Sequence, residues 1–188
     1  HQANVYFRRG VTKGNWTTNA MRLKPEFSVE CIYSRNIEFS YDSFVNVGSG
    51  GLLLGSATKN ALVSYNYAYD CAGSGIMVGG ADDKDGLTND RIGEKNQSAG
   101  NVVSDNYIDN VATVYRSGVG LHIGYVKDTV IEHNTLTNLP YTGISYSWGW
   151  INWPPMEKYH TDNIIRNNYI YNIMNELVDG GGIYTLGK

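Results

Sequence analysis

Apolar and polar residues recur along this chain in a fixed order, and the order returns five times. The segments SYDSFVNV (40–47), SYNYAYDC (64–71), SDNYIDNV (104–111), EHNTLTNL (132–139) and RNNYIYNI (166–173) align without a gap. The first polar column is Asp42, Asn66, Asn106, Asn134 and Asn168, and the second is Asn46, Asp70, Asn110, Asn138 and Asn172. Between and after them run the apolar columns Phe44, Ala68, Ile108, Leu136, Ile170 and Val47, Cys71, Val111, Leu139, Ile173. Asn and Asp tolerate left-handed backbone and bond to nearby main chain, so an Asx at a fixed register predicts a recurrent corner. Amides stacked at such a corner can also bond to their equivalents above and below. Asparagines that merely decorated loops would give neither two columns four residues apart nor the apolar columns beside them.

A second block follows each box: GLLLG (51–55), GIMVG (75–79), GLHIG (120–124), GISYSWG (143–149) and GIYTLG (182–187). Each predicts a short strand bounded by glycines. Side chains alternate along a strand, so the flanking apolar residues go inward while Leu53, Met77 and His122 go outward, with Ser145 and Tyr184 in the same register. On that reading His122 stands on a rigid surface.

The box recurs after 24, 40, 28 and 34 residues. The shortest interval is one bare coil, and the excess in the others leaves the stack as loops at 80–99 and 149–161. No segment sustains a 3.6-residue apolar period over three turns, which argues against helical repeats. The expected fold is therefore all-β, a right-handed parallel β-helix of about five to six coils. Residues 36–187 make five of them with both Asx columns in line. Residues 1–35 belong to earlier, less regular coils, and FSVECIYSRNIEF (27–39) alternates as a strand should. Repeat arrays need caps, and the sequence stops at Gly187–Lys188 directly after a strand. The expectation is a single β-helix domain over 1–188, excerpted from a longer protein.

Composition narrows the partners. Apolar residues make up 41% and charged ones 18%, with 22 glycines, 15 tyrosines and four prolines, which suits tight corners and pleated strands. The net charge is −3 with 15 basic residues spread along the chain, so no basic stripe offers phosphate neutralisation and no nucleic-acid partner is expected. No apolar run of membrane-spanning length is present, and no membrane partner is expected. Cys31 and Cys71 form no CxxC or Cys/His cluster. Cys71 falls at an apolar position of the repeat, where a buried free thiol is the commoner outcome and a disulfide with Cys31 the alternative.

The stretches YTGISYSWGW (141–150) and DGGGIYTLG (179–187), with the boxes DNYIDNV and NNYIYNI, resemble bacterial right-handed β-helix proteins of glycoside hydrolase family 141. The resemblance runs from about Val29 onward. It implies an exported bacterial protein, secreted, periplasmic or on the cell surface, that acts on plant cell-wall polysaccharide, with fucosidase and xylanase activities represented. Relatives have GISVGWGW where this chain has GISYSWGW, so Tyr146 and Ser147 alter the local shape of the cleft.

Glycoside hydrolysis usually takes two carboxyl groups, one a general acid and the other a base or nucleophile. Asp179 ends the last corner before three glycines, where backbone can approach a ligand closely. It is the first catalytic candidate, and an Asx-turn acceptor capping those glycine amides is the alternative role. Glu176, just upstream, is the second carboxylate candidate, and His122 is expected to touch a sugar hydroxyl or share a proton. Flat aromatic faces stack on pyranose rings. The candidate substrate-binding residues are Tyr184, Ser145, Tyr146, Trp148, Trp150, Trp153 and Tyr159, in a groove walled by the 149–161 loop. No cofactor is expected. The DDKDG run (82–86) fails the EF-hand pattern at Ala81 and Ile92, which leaves a calcium ion on Asp82, Asp83, Asp85 and Asp90 as the one metal site the sequence offers. Three functions compete: a glycoside hydrolase, a non-catalytic carbohydrate-binding or adhesion β-helix, and a polysaccharide lyase. A lyase would want a cationic groove, which the column from Leu53 to Tyr184 does not supply.

Overall fold

The computed structural model describes residues 27–79, 97–146 and 161–185. Strand β1 (Phe27–Cys31) precedes five coils that each contribute three strands. The first coil holds β2 (Glu38–Ser40), β3 (Ser43–Val45) and β4 (Gly50–Leu54), and the second β5 (Leu62–Ser64), β6 (Tyr67–Tyr69) and β7 (Ile76–Val78). The third adds β8 (Ser98–Ala99) ahead of β9 (Val102–Ser104), β10 (Tyr107–Asp109) and β11 (Leu121–Ile123). The fourth adds β12 (Val126–Lys127) ahead of β13 (Val130–Glu132), β14 (Thr135–Thr137) and β15 (Ile144–Tyr146), and the fifth is β16 (Ile164–Arg166), β17 (Tyr169–Tyr171) and β18 (Ile183–Thr185).

All pairings are parallel, and they assemble three long sheets. Sheet I runs β2-β5-β9-β13-β16, sheet II β3-β6-β10-β14-β17, and sheet III β1-β4-β7-β11-β15-β18. A lone three-residue strand has too little ladder to persist. Stacking pairs each with its equivalents above and below and lets every coil bury the apolar face of its neighbours. The core takes Val63, Val103 and Ile131 from sheet I, Phe44, Ala68, Ile108 and Leu136 from sheet II, and Leu52, Ile76, Leu121 and Ile144 from sheet III.

The two Asx columns do different jobs, where one was expected to do both. In the first, Asn66, Asn106 and Asn134 are buried and form a ladder, each side-chain amide donating to the Oδ1 of the next: Asn66 to Asn106 (2.9 Å), Asn106 to Asn134 (2.9 Å) and Asn134 to Asn168 (2.9 Å). The same Oδ1 atoms accept the backbone N–H of the residue below, and the amides also reach the carbonyls of Phe39, Val63, Val103 and Ile131. None of these residues is left-handed. That geometry falls one position earlier, at Tyr41, Tyr65, Asp105, His133 and Asn167, with φ between 54° and 61°. The second column is left-handed throughout, from φ 48° at Asn172 to 57° at Asn46. The alignment also survives the 80–99 insertion, because Asn66 bonds directly to Asn106.

Two boundaries differ from expectation. Residues 27–39 form β1 and the start of β2 in different sheets, because Tyr33 (φ 51°) and Asn36 (φ 52°) turn the chain between them. The 80–99 insertion ends early, since Ser98 and Ala99 rejoin the stack by pairing with Val126 and Lys127. Gly75 shows why the strand-leading glycines recur. A Cβ there would meet the Gly120 carbonyl oxygen at 2.8 Å and Ile108 Cγ2 at 2.8 Å, so the coil above leaves no room for a side chain.

Cys31 and Cys71 are both free thiols. Cys71 lies in the core, and burial, with a smaller contribution from the Asp70 charge, pushes its thiol pKa up to about 12. A thiol held protonated by the fold stabilises it fully below its unfolded value of 9.0, and that contribution is lost as pH climbs toward about 12. Iodoacetamide at pH 8 should therefore modify half-buried Cys31 and spare Cys71 until denaturant is added. Equal labelling of both in the native protein would contradict the core placement.

Candidate functional site

The segment between sheets II and III in the last coil carries the candidate residues Asp179 and Glu176. Asp179 is exposed and left-handed, with φ 67°, a conformation that Asp tolerates better than most residues. Two tyrosines hold it. The Tyr141 hydroxyl donates to the Asp179 carbonyl at 2.7 Å, and the Tyr184 hydroxyl donates to the Asp179 carboxylate at 3.4 Å. Among the described residues the Gly181 N–H goes to Thr142 Oγ1 at 3.4 Å rather than to that carboxylate. Asp179 thus offers its carboxylate to solvent with a phenol beside it.

Tyr141 is the part that sequence reasoning did not single out. Counting back two residues from each strand-leading glycine gives Ser49, Gly73, Gly118, Tyr141 and Gly180, so one large ring interrupts a column of small residues. That interruption was the available signal. The ring is buried against Val119, with Met174 and Leu177 packed on it. A Cβ on Gly180 would lie 2.8 Å from Tyr141 Cε2, so a glycine here lets the ring sit under the corner that carries Asp179. Burial raises the Tyr141 pKa first, and the neighbouring Tyr184 and Asp179 add to the rise against a Thr142 hydrogen bond that lowers it. Tyr184 is raised by burial, then by the Asp179 charge and its hydrogen bond. Both phenols therefore remain donors through neutral pH.

Glu176 lies on the same segment and pairs with Arg116 at 3.1 Å, both side chains about half exposed. Arg116 belongs to the corresponding corner two coils earlier, so this pair clips two loops together at the rim. Exposed pairs of this kind contribute little stability.

The column on the far side of sheet III keeps the expected register: Leu53 pairs with Met77, Met77 with His122, His122 with Ser145 and Ser145 with Tyr184. Its exposure differs from expectation. Leu53 and Met77 pack with Phe27 in a cluster of their own, and His122 (0%) and Ser145 (2%) are enclosed, so His122 is not on the surface. Tyr184 alone of the expected column is half-buried rather than buried. Alternation fixes the side of a strand on which a residue lies, not what lies over it. Tyr146 is placed differently as well. It follows Ile144 by two positions, shares its inward face, packs against the core, and accepts a hydrogen bond from Asn163 Nδ2 at 2.9 Å. The candidates Trp148, Trp150, Trp153 and Tyr159, and the calcium candidates Asp82, Asp83, Asp85 and Asp90, lie outside the described residues. Among the described residues no group of three or more His, Cys, Asp or Glu is arranged to hold a metal, and no helix is long and apolar enough to cross a membrane.

Parallel coils and an internal asparagine ladder define the class, and a family model described as "Right handed beta helix region" matches residues 24–153. The chain belongs to that right-handed β-helix family. It is similar to a solved structure titled "Glycoside hydrolase", at 27% identity and a TM-score of 0.78, over 87% of this chain and 27% of that one. The chain thus spans about a quarter of the length of the protein it resembles. No curated protein matches it.

Proposed function

We propose that the protein is a carbohydrate-active β-helix, and specifically a glycoside hydrolase of an exported bacterial kind that cleaves plant cell-wall polysaccharide or its oligosaccharides. The observation that carries this reading is the Asp179 carboxylate, exposed and flanked by the Tyr184 phenol at 3.4 Å, on a chain 27% identical to a glycoside hydrolase. Asp179 acts as the acid–base carboxyl. The left-handed corner and the Tyr141 bond fix its main chain, while Tyr184 steers its side chain. Glu176, three residues upstream and salt-bridged to Arg116, is the second carboxylate, the base or nucleophile of the pair. Tyr184 also offers a hydroxyl and an aromatic face to the sugar.

A non-catalytic carbohydrate-binding role has one observation in its favour: His122 and Ser145, two polar groups assigned to the sugar, are enclosed. Incubating the full chain with xylan, fucosylated oligosaccharides and uronate polymers separates the readings. The hydrolase releases reducing ends without the ultraviolet absorbance of unsaturated uronates. That absorbance would identify a lyase, and retention on the glycan with no product would identify a binding protein.

A further inference from the structure

The outward face of sheet II is surfaced with tyrosine. Alternation turns Phe44, Ala68, Ile108, Leu136 and Ile170 toward the core, and half of the ten positions left facing out are Tyr67, Tyr69, Tyr107, Tyr169 and Tyr171. Tyr67 lies against Tyr69 with ring centroids 5.8 Å apart and planes 14° from parallel, and it meets Tyr107 of the next coil at 5.8 Å. Tyr169 and Tyr171 sit 4.8 Å apart on the last coil. The rings are open to solvent: Tyr107 is 41%, Tyr169 65% and Tyr171 40% exposed. Tyr107 and Tyr171 stand two coils apart on either side of β14, and the influence of Tyr171, ahead of burial, raises the Tyr107 pKa. On β14, outward-facing Thr137 is fully buried, and its hydroxyl has no hydrogen-bond partner among the described residues. Buried hydroxyls usually find a partner, so this one marks a place where a polar group is expected to arrive.

The chemistry of the face selects its occupant. Asp109 is its one charged outward residue, and it carries no lysine or arginine, so a polymer of uronates or phosphates meets repulsion with nothing to pair with. A neutral sugar chain meets ring faces for its C–H surfaces and phenol and threonine hydroxyls for its own hydroxyls. Coils stack at about 4.8 Å, close to the advance of one pyranose unit in an extended chain, so a chain along the axis meets rings on the second, third and fifth coils and the threonine hydroxyls of β14 between them.

We propose that this sheet face is a second binding surface, distinct from the Asp179 corner, for an extended neutral polysaccharide running along the helix axis. The polymer class rests on the carbohydrate reading given above. The surface shares the corner between sheets II and III with Asp179, because the segment bearing that residue leaves β17 directly. A chain held on the tyrosines would therefore be kept close to the site.

Native electrophoresis of the full chain through gels containing neutral arabinoxylan, with polygalacturonate as the anionic comparison, tests this. The wild type should be retarded by arabinoxylan and not by polygalacturonate. Tyr107→Ala combined with Tyr169→Ala should weaken retardation about tenfold, the scale of two lost ring contacts. Tyr169→Ala alone, at the most exposed of these rings, should weaken it less and leave thermal unfolding unchanged. Release of reducing ends from short soluble oligosaccharides should be the same in all variants. Retardation equal to wild type in the folded double variant would overturn the proposal, as would stronger retardation by polygalacturonate or none by arabinoxylan. Failure of the hydrolase reading is a separate result, seen as no product from any glycan whether or not the gel retards the protein.

Discussion

Asn134→Ala should lower the stability of the fold by on the order of 4 kcal/mol, counting two or three buried polar groups left without partners at roughly 1–3 kcal/mol each. Asn134 is fully buried. Its Oδ1 accepts both the backbone N–H of Asn106 (3.1 Å) and the Asn106 side-chain amide (2.9 Å), and its own amide donates to Val103 O (2.9 Å) and Asn168 Oδ1 (2.9 Å). Alanine strands all of these at once in a place where water does not reach. For a chain of this size the loss corresponds to roughly 10 °C in melting temperature. Asn138→Ala is the informative comparison. It stands four residues away in the other column, left-handed at φ 54° and exposed, with Asp109 and Asn172 as side-chain partners. Its loss is mainly backbone strain of about 1 kcal/mol, and Asn138→Gly should recover most of it. Equal melting temperatures for Asn134→Ala and Asn138→Ala would mean that the ladder does not hold the coils together as described.

That contrast shows what the sequence could carry. Both Asx columns were legible as columns because the box between them never changes length, and the parallel register of all five coils followed from it. Their division of labour was not legible. Asn serves equally well as a buried ladder amide and as a left-handed corner, and the left-handed place next to the ladder is filled by Tyr41, Tyr65, Asp105, His133 and Asn167, which have no single chemistry in common. A third corner at Asn36, Asn60, Gly100, Asp128 and Asp162 was hidden for a related reason. The Asn that follows it appears only in alternate coils, as Asn101 and Asn163, each of which accepts the N–H of a plain Ala61 or Thr129 in the coil before. The geometry of the candidate site was partly legible. The glycines after Asp179 marked its corner, but His122 and Ser145 were assigned to a surface on strand parity, which says nothing about cover. Tyr141, which anchors the Asp179 main chain, could be seen only as the one bulky residue in a column of small ones.

Asp179→Asn should reduce turnover by at least about 100-fold in a preparation that releases reducing ends, the scale expected when an acid–base group is lost. Asparagine is the right replacement here. It tolerates the left-handed φ of 67° as aspartate does, leaves the backbone carbonyl for Tyr141, and keeps an oxygen toward Tyr184. Alanine would add backbone strain and blur a chemical loss with a structural one. The melting temperature of Asp179→Asn should therefore stay near that of wild type while activity falls. Tyr184→Phe provides the graded comparison. It removes the phenol that steers the carboxylate but leaves both the carboxylate and the ring, so it should cost less turnover than Asp179→Asn. Its effect should fade at high pH, where the raised pKa of Tyr184 is finally passed and the wild type loses the same donor. A folded Asp179→Asn protein with wild-type turnover would leave Asp179 a corner residue held by two tyrosines, and the acid–base carboxylate would have to be sought elsewhere along the chain.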